Sequence, residues 1–223
     1  MRVAIVGGHG QIARLLHPLL AGAGHQPVAL VRKEEQRGHL ESLGAEVRLL
    51  DIEREDAAAF ARSFEDCHAV VFAAGGGPDG NLERKRTVDL EGSLKSIDGA
   101  RSAGIQRFVQ VSAIDVDNPV GDPADAAGEV WKAYVEAKRD ADAALRATDL
   151  DWTIIRPGRL TDDEPTGLVT LGEDVPRASV PRADVAAVLA AVLERPQTTG
   201  RQWNLVGGED TIGHAIDRAL TGP

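Results

Sequence analysis

Three side chains that can take part in proton transfer lie in the second half of the chain. Tyr134 is the sole tyrosine, and Lys138 follows four residues later within a predicted helix, so both side chains share one helix face. An ammonium group favours the phenolate form of a nearby tyrosine and lowers its pKa, which prepares the phenol to exchange a proton with a carbonyl or an alcohol. Ser112, at the end of a predicted strand, is placed to orient a substrate oxygen.

The tyrosine and the lysine also have a purely structural interpretation. A helical tyrosine usually packs and an exposed lysine is usually solvated, and the spacing alone favours that interpretation. Two observations support the chemical one. The chain has only five lysines, so a chance pairing with the sole tyrosine is uncommon, and Ser112 precedes the same helix at a sheet edge where ligands bind.

A glycine-rich turn near the N-terminus has the spacing of a dinucleotide-binding loop. The stretch VAIVGGHGQIARLL places Gly7, Gly10 and Ala13 three residues apart, between an apolar run and an amphipathic pattern. Gly7 permits a tight turn, Gly10 lets a pyrophosphate approach the helix N-terminus, and Ala13 lets the helix pack near the sheet. His9 either contacts phosphate or faces solvent. The strand–loop–helix context favours nucleotide binding over a plain turn.

Two cations follow the second predicted strand, in VALVRK. NAD-binding sites usually place an acidic residue there to bond the ribose 2′-hydroxyl, whereas this chain has Arg32 and Lys33. Both charges suit a 2′-phosphate, which a guanidinium can bind as a planar fork. The alternative is two solvated charges at the start of a helix. The sequence therefore predicts NADP as the cofactor, with NAD as the second choice.

Residues that follow the third and fourth predicted strands complete the cofactor prediction. Asp51 either accepts a hydrogen bond from the adenine amino group, with Ile52 beside the ring, or caps the next helix ahead of Glu55. The stretch VVFAAGGG ends in residues small enough for a cofactor to lie against the backbone, or forms a flexible glycine loop.

Strand-length apolar runs alternate with helical patterns along most of the chain. Strands are predicted over residues 2–6, 28–31, 47–50, 69–73, 108–111 and 152–155. Helices are predicted over residues 10–23, 34–43, 55–64 and 127–147, and from beyond 73 to about 103. The early runs are apolar throughout, which predicts strands buried on both faces of a parallel sheet with helices on either side.

The C-terminal part breaks this alternation. Residues 159–180 are rich in Gly, Pro and acids and predict an irregular excursion on the substrate side, with a short strand near 168–171. PRADVAAVLAAVLER predicts a helix, RQWNLVG a last strand, and residues 212–220 a terminal helix. The fold class is therefore α/β, a doubly wound parallel sheet with a small C-terminal elaboration, in a single domain over residues 1–223.

Composition and net charge limit the kinds of binding partner that the chain is expected to have. The 223 residues carry a formal net charge of −10, which opposes binding to nucleic acid or to an anionic membrane surface, so an anionic ligand needs a local cationic or amide-lined pocket. No apolar segment is long enough to span a membrane and no signal peptide is evident. The single cysteine, Cys67, excludes an internal disulfide and fits a cytoplasmic location. Six scattered histidines predict no metal site.

Taken together, these motifs resemble the short-chain dehydrogenase/reductase superfamily, in its atypical, single-domain NAD(P)-binding form. The resemblance runs nearly end to end, through GGHGQIA, LVRK, LDIE, VVFAAG, VQVSA, VPRADVAAVL and the specific DWTIIRPGRL. It is nearest to the group labelled sugar epimerase-like or NAD-dependent epimerase/dehydratase-like, akin to biliverdin reductase B/flavin reductase. It implies a Rossmann fold and NADP(H) more often than NAD(H).

The resemblance also implies roles for individual residues. Ser112, Tyr134 and Lys138 match the catalytic Ser–Tyr–Lys set, with Lys138 also holding the nicotinamide ribose, and the DWTIIRPGRL segment implicates Arg156, Pro157 and Gly158 near the nicotinamide. The 21 residues between Ser112 and Tyr134 are a longer spacing than in the classical enzymes of the superfamily. Atypical members also often lose the catalytic set. The predicted cofactor-binding residues are Gly7, Gly10, Gln11, Ile12, Arg32, Lys33, Asp51, Ile52, Ala73, Ala74, Gly75, Ser112, Lys138 and Pro157.

Three functions fit these motifs. The first is an NADP(H)-dependent oxidoreductase that passes hydride to a small carbonyl, quinone or flavin-like substrate. The second is a nucleotide-sugar epimerase or dehydratase with tightly held NAD. The short segment after Pro157 speaks against it, because it leaves little chain to bind a nucleotide sugar. The third is a nonenzymatic NADP-sensing or partner-binding protein. The sequence leaves the choice between monomer and homodimer open.

Overall fold

Seven parallel strands form the centre of the sheet in the computed structural model, which describes residues 1–77, 81–118 and 126–222. These strands are β1 (Arg2–Val6), β2 (Gln26–Val31), β3 (Glu46–Leu49), β4 (Ala69–Phe72), β5 (Arg107–Val111), β6 (Asp151–Pro157) and β10 (Arg201–Gly207). They follow the order β10-β6-β5-β4-β1-β2-β3 in the sheet. This is the predicted Rossmann-type, doubly wound arrangement.

The C-terminal elaboration extends and flanks this sheet. β8 (Leu168–Gly172) pairs antiparallel with β10 and with β11 (Asp210–Thr211), which brings the sheet to nine strands. β7 (Arg159–Thr161) and β9 (Ser179–Pro181) form a separate parallel pair. The predicted short strand near 168–171 is therefore confirmed, and both ends of the predicted excursion are paired.

Helices cover both faces of the sheet. They are α1 (Gln11–Gly22), α2 (Arg37–Ser42), α3 (Ala57–Ser63), α4 (Leu82–Arg84), α5 (Glu91–Ser102), α6 (Ala126–Arg146), α7 (Arg182–Leu193) and α8 (Ile212–Thr221). Alternate residues of β1 face opposite layers: Val3 and Ile5 lie in the core formed with α1, α7 and α8, and Ala4 and Val6 in the core formed with α3, α5 and α6. No helix of the described ranges is long and apolar enough to cross a membrane.

The long helix that was predicted to end near residue 103 consists of three successive helical segments in the structure. The helical region begins at Leu82, where Asn81 accepts a hydrogen bond from the Arg84 amide, and a π-helical segment (Lys85–Leu90) separates α4 from α5. A π turn contains one more residue than an α turn, so it changes which side chains face the sheet. Here it buries two ionic residues, Lys85 and Asp89.

Asp51 does not cap the helix that follows it. Its carboxylate accepts the amide of Glu53 at 3.0 Å, which makes a local turn. The N-cap of α3 is Asp56, whose Oδ1 accepts the Ala59 amide at 2.9 Å. The capping alternative for Asp51 was therefore wrong, because α3 starts later than the sequence pattern predicted.

The glycine turn after β1 packs against the turn after β4. Gly7 adopts φ +80°, and a Cβ at this position would lie 2.7 Å from the Ala74 Cα. A Cβ on Gly8 would lie 2.8 Å from the Ala29 Cβ. Gly7 is thus required twice, by its left-handed backbone and by the close approach of the second chain segment.

Gly7→Ala is expected to lower the free energy of unfolding by about 2–4 kcal/mol, because it adds a steric clash to a strained backbone. The matched control is Gly24→Ala, which has φ +78° but nothing within 4 Å of the position that a Cβ would take. The control should lose only about 1 kcal/mol. Urea unfolding of both variants measures the difference, and equal losses would contradict a tight Gly7–Ala74 contact.

Candidate functional site

Two adjoining cavities lie at the carboxyl edge of the sheet, where the strand order reverses between β1 and β4. The smaller, about 250 Å³, and the larger, about 1010 Å³, share Gly10, Ala73, Ala74 and Gly75 in their walls. A dinucleotide has two halves joined by a diphosphate. The shared residues therefore lie where the diphosphate would cross from one cavity to the other.

The start of α1 fits a diphosphate. Gly10 is the N-cap and has no side-chain hydrogen bond to the helix, and the first turn holds no acidic residue. The first amides of a helix have no acceptor within the helix and attract anions. Gln11 and Ile12 from this turn line the larger cavity, and Ala13 is fully buried against the sheet. These observations support the predicted use of Gly7, Gly10, Gln11 and Ile12.

The smaller cavity has the residue types that an adenosine half needs. Leu50 and Ile52 give it apolar surface, and Asp51 lies beside them at the end of β3. His9 lines this cavity with its ring 6.1 Å from that of His39, so it is partly buried and does not simply face solvent. Burial first, and the charges of Arg14 and His39 next, lower the pKa of His9.

The structure separates the two predicted phosphate-binding cations. Arg32 lines the smaller cavity, with its guanidinium 3.7 Å from the Glu53 carboxylate. Lys33 is outside the cavity wall and lies 3.5 Å from Glu35 on the surface. Arg84 also lines the cavity and pairs with Glu53 at 3.7 Å. The positive charge therefore comes from Arg32 and from Arg84, which the sequence did not single out.

Tyr134 lies in the larger cavity between two lysines. The Nζ atoms of Lys85 and Lys138 lie 5.7 Å and 6.0 Å from the centre of its ring. Burial raises the pKa of the phenol, Lys138 lowers it, and Asp89 and Asp142 raise it further. The net direction is upward, so the expectation of a lowered pKa was wrong. Tyr134 is a neutral phenol at neutral pH, which makes it a proton donor.

Lys138 is held below the tyrosine by fixed acceptors. Its buried ammonium lies 3.3 Å from Asp89 Oδ1 and 3.2 Å from the carbonyl oxygen of Val111, with the Ala74 carbonyl at 3.5 Å. Burial lowers its pKa, but Asp89 and then Tyr134 outweigh that effect and raise the pKa overall. The ammonium therefore stays charged. The predicted ribose contact requires it to exchange one of these acceptors.

Ser112 has its hydroxyl committed to a buried network. Its Oγ donates to Asp142 Oδ2 at 2.7 Å, and Asp142 also accepts from Gln110 and Arg156. Burial raises the pKa of Asp142, and Arg156, Ser112 and Gln110 oppose that rise. A carbonyl oxygen needs a donor, whereas this geometry leaves Ser112 as an acceptor toward the cavity. The predicted role on a carbonyl therefore requires its hydroxyl to rotate.

The segment after β6 reaches the cavity only in part. Pro157 and Gly158 line the larger cavity as expected. Arg156 does not line it, because the side chain alternates to the other side of the strand and pairs with Asp142 at 2.8 Å and with Asp117. The expectation that Arg156 lies on the nicotinamide side was wrong, and this residue supports the network beneath Ser112.

Several residues that line the larger cavity were not predicted from the sequence. Lys85 and Asp89 come from the π-helical segment, and their spacing of four residues in KRTVD was the only signal for a shared ionic face. Lys85 Nζ donates to the Gly77 carbonyl, and the Gly76 amide donates to Asp89 Oδ2 at 2.8 Å. The glycine run is thus tied down at two points. These two hydrogen bonds contradict the alternative interpretation of the glycine run as a flexible loop.

His17, on α1, ties the helix to the glycine turn. Its Nε2 lies 2.7 Å from the Gly8 carbonyl oxygen, a contact that a neutral imidazole makes by donating from Nε2. The ring is fully buried. Burial lowers the pKa of His17 by more than its bond to the Gly8 carbonyl raises it.

Comparison with known proteins supports the same assignment. The sequence model of the NAD(P)H-binding family matches residues 7–196. The uncharacterized sugar epimerase YhfK of Bacillus subtilis is 38% identical over 98% of this chain and 100% of its own. A "putative NAD-dependent epimerase/dehydratase" from Bacillus halodurans superposes with a TM-score of 0.89, at 36% identity, over 97% of this chain and 99% of its own. The oxidoreductase ylbE from Lactococcus lactis gives a TM-score of 0.86 at 27% identity, over 100% and 98%.

The fold and the site define a Rossmann-type dinucleotide-binding protein of the atypical short-chain dehydrogenase/reductase class. The chain belongs to the NAD(P)H-binding family. The predicted family membership and fold class are therefore confirmed. The relatives' names differ between epimerase and oxidoreductase, so they do not define one reaction.

The stability advantage of the wild type over His17→Gln is expected to shrink as the pH falls from 7.5 to 5.5. The folded pKa of His17 is lowered, so the unfolded chain takes up a proton near pH 6.5 that the folded chain excludes. The stabilising effect is complete above that pH and is lost below it. Melting temperatures of both proteins across this range measure it, and a constant difference would contradict a neutral buried ring.

Proposed function

We propose that this protein is an NADP(H)-dependent reductase of a small carbonyl, quinone or flavin-like acceptor. The observation that carries the proposal is the position of Tyr134, a partly buried neutral phenol with two lysine ammonium groups near its ring, in the cavity that adjoins the glycine turn. A neutral phenol favours reduction over oxidation, because reduction of a carbonyl consumes a proton at its oxygen.

The cofactor preference follows from charge at the adenosine end. Arg32 reaches the wall of the smaller cavity, and no acidic residue takes its place at the end of β2. The guanidinium suits a 2′-phosphate, which NAD lacks. Glu53 lies 3.7 Å away and would hold the guanidinium of Arg32 at the cavity wall.

The chain's own residues then divide the work. With a carbonyl acceptor, bound NADPH would supply the hydride for the carbonyl carbon. Tyr134 gives its phenolic proton to the acceptor oxygen, and the charge of Lys138 stabilises the phenolate that remains until solvent returns a proton. Asp89 keeps Lys138 charged and in place from below. Ile12, Pro157 and Ala113 supply apolar walls that limit water near the reacting atoms.

Tyr134→Phe is expected to lower kcat for a carbonyl acceptor about 100-fold or more, because it removes the proton donor and leaves the ring in place. The Kd for NADPH should not change. Stopped-flow NADPH oxidation and fluorescence titration measure these two quantities. Unchanged carbonyl turnover would remove Tyr134 from the mechanism. NADPH binding without turnover of any carbonyl, quinone or flavin by the wild type would favour a nonenzymatic sensor.

Arg32→Gln is expected to weaken NADPH binding roughly 10- to 100-fold, since it removes a charged hydrogen-bond donor from the 2′-phosphate. NADH binding should change little. Lys33→Gln is the matched control, because Lys33 neighbours Arg32 in sequence but lies outside the cavity wall. Calorimetric titration of each variant with both cofactors tests this. Equal losses for NADPH and NADH would contradict a role at the 2′-phosphate.

A further inference from the structure

Three arginines from separate segments line the larger cavity. Arg159 belongs to β7, Arg177 to the segment between β8 and β9, and Arg182 is the first residue of α7. The chain as a whole carries a net charge of −10, so its long-range field repels anions. Three guanidinium groups in the wall of one cavity give an anion local partners that the charge of the chain as a whole does not.

The arginines are only partly neutralised. Arg177 pairs with Asp115 at 3.0 Å, and Arg182 pairs with Asp162 at 2.8 Å. Arg159 has no carboxylate within ion-pair distance in the parts of the chain that the structure describes. Three positive charges therefore face two negative ones there. The excess charge sits on the side chain that is free to bind a ligand.

The wall next to these charges is aromatic and apolar. Trp131 is 44% exposed, and its ring lies 5.5 Å from the Tyr134 ring, centre to centre, at an interplanar angle of 37°. The Arg177 guanidinium lies 5.7 Å from the Trp131 ring. Val130 and Leu160 continue this surface. A flat apolar group can pack on Trp131 while an anionic group attached to it reaches the arginines.

We propose that this arginine cluster (Arg159, Arg177 and Arg182) is the anion-binding subsite for the reductase's acceptor. The acceptor then has a flat apolar body, which packs on Trp131, and a carboxylate or phosphate, which Arg159 binds. The inference rests on the proposed function, because the cluster lies in the same cavity as Tyr134. It adds the substrate class and names Arg159 as a specificity-determining residue.

The cofactor's own phosphates do not account for the cluster. The start of α1 provides free amides for the diphosphate, and Arg32 lies in the wall of the other cavity for a 2′-phosphate. Arg159, Arg177 and Arg182 are absent from the smaller cavity. They follow Pro157 in the chain, on the side of the larger cavity formed by the segments after β6.

The test compares two fluorescent probes that differ by one charge. 8-Anilinonaphthalene-1-sulfonate and N-phenyl-1-naphthylamine share their rings, and only the first carries a sulfonate. Each is titrated into the full chain saturated with NADP⁺, so that the cofactor half is filled. The wild type should bind the anionic probe about 10-fold more tightly or better, since an ionic hydrogen bond is lost with the neutral one.

Arg159→Gln should reduce this preference to about 3-fold or less, with the neutral probe unaffected. Arg101→Gln is the control, because Arg101 is an exposed arginine, as Arg159 is, but pairs with Asp149 and lies outside this cavity. The control should keep the full preference. Benzoate and phenyl phosphate then compete with the anionic probe, and the stronger competitor identifies the anion as carboxylate or phosphate.

Equal affinity for the two probes, or failure of both competitors, would overturn the inference. An equal loss of preference in Arg159→Gln and Arg101→Gln would do the same. So would a weaker Kd for NADPH in Arg159→Gln, which would assign the arginine to the cofactor. These readouts are binding constants and do not depend on turnover. If Tyr134→Phe leaves carbonyl turnover unchanged while the wild type still prefers the anionic probe, the proposed reaction is contradicted and the anion-binding subsite is not.

Discussion

The close contact between the turn after β1 and the turn after β4 is the constraint on which the site depends. A Cβ on Gly7 would come within 2.7 Å of the Ala74 Cα, so only glycine lets these two backbones meet. Their meeting forms the floor shared by both cavities. It also brings the start of α1, with its unpaired amides, to the reversal point of the sheet. Without it, neither half of a dinucleotide would have a continuous surface.

Buried ionic groups set the chemistry above that floor. Lys138 and Asp89 form a pair with 5% and 0% side-chain exposure, and Arg156 and Asp142 form a second pair beneath Ser112. Burying such charges is costly unless each is paired and hydrogen-bonded. Here the partners come from the π-helical segment, α6 and β6. The two pairs hold the side chains near Tyr134 in fixed positions, while burial is the main cause that raises the pKa of the phenol and keeps it protonated.

Charge is distributed unevenly over the molecule, and this is consistent with the proposed chemistry. An acidic chain gains solubility but repels anionic ligands. The structure concentrates cationic side chains at both ends of the cleft, with Arg32 and Arg84 at one end and the arginine cluster at the other. Between these ends, the backbone amides at the start of α1 are placed for the diphosphate. Each of these positions matches an anionic group on a cofactor or on the acceptor that we propose.

The prediction of the fold from sequence succeeded because it depends on local patterns. Continuous apolar runs identify strands buried on both faces, and the glycine spacing identifies the turn that follows the first of them. Strand positions were correct to within one or two residues for β1 to β6. The motif residues Gly7, Gly10 and Ala74 also lie in the cleft, because parallel strands bring their carboxyl ends to one edge, and α6 adds Tyr134 to it.

What the sequence by itself determined was therefore the α/β architecture, the dinucleotide loop and the family. Only the tertiary structure decided which side chains act in the cleft. It placed Arg32 but not Lys33 in the cavity wall, turned Arg156 away from it, and added Lys85, Asp89 and Arg159. It also reversed the expected pKa shift of Tyr134. The physical reason is that side-chain direction and burial depend on contacts between segments far apart in the chain, which periodicity and spacing do not contain.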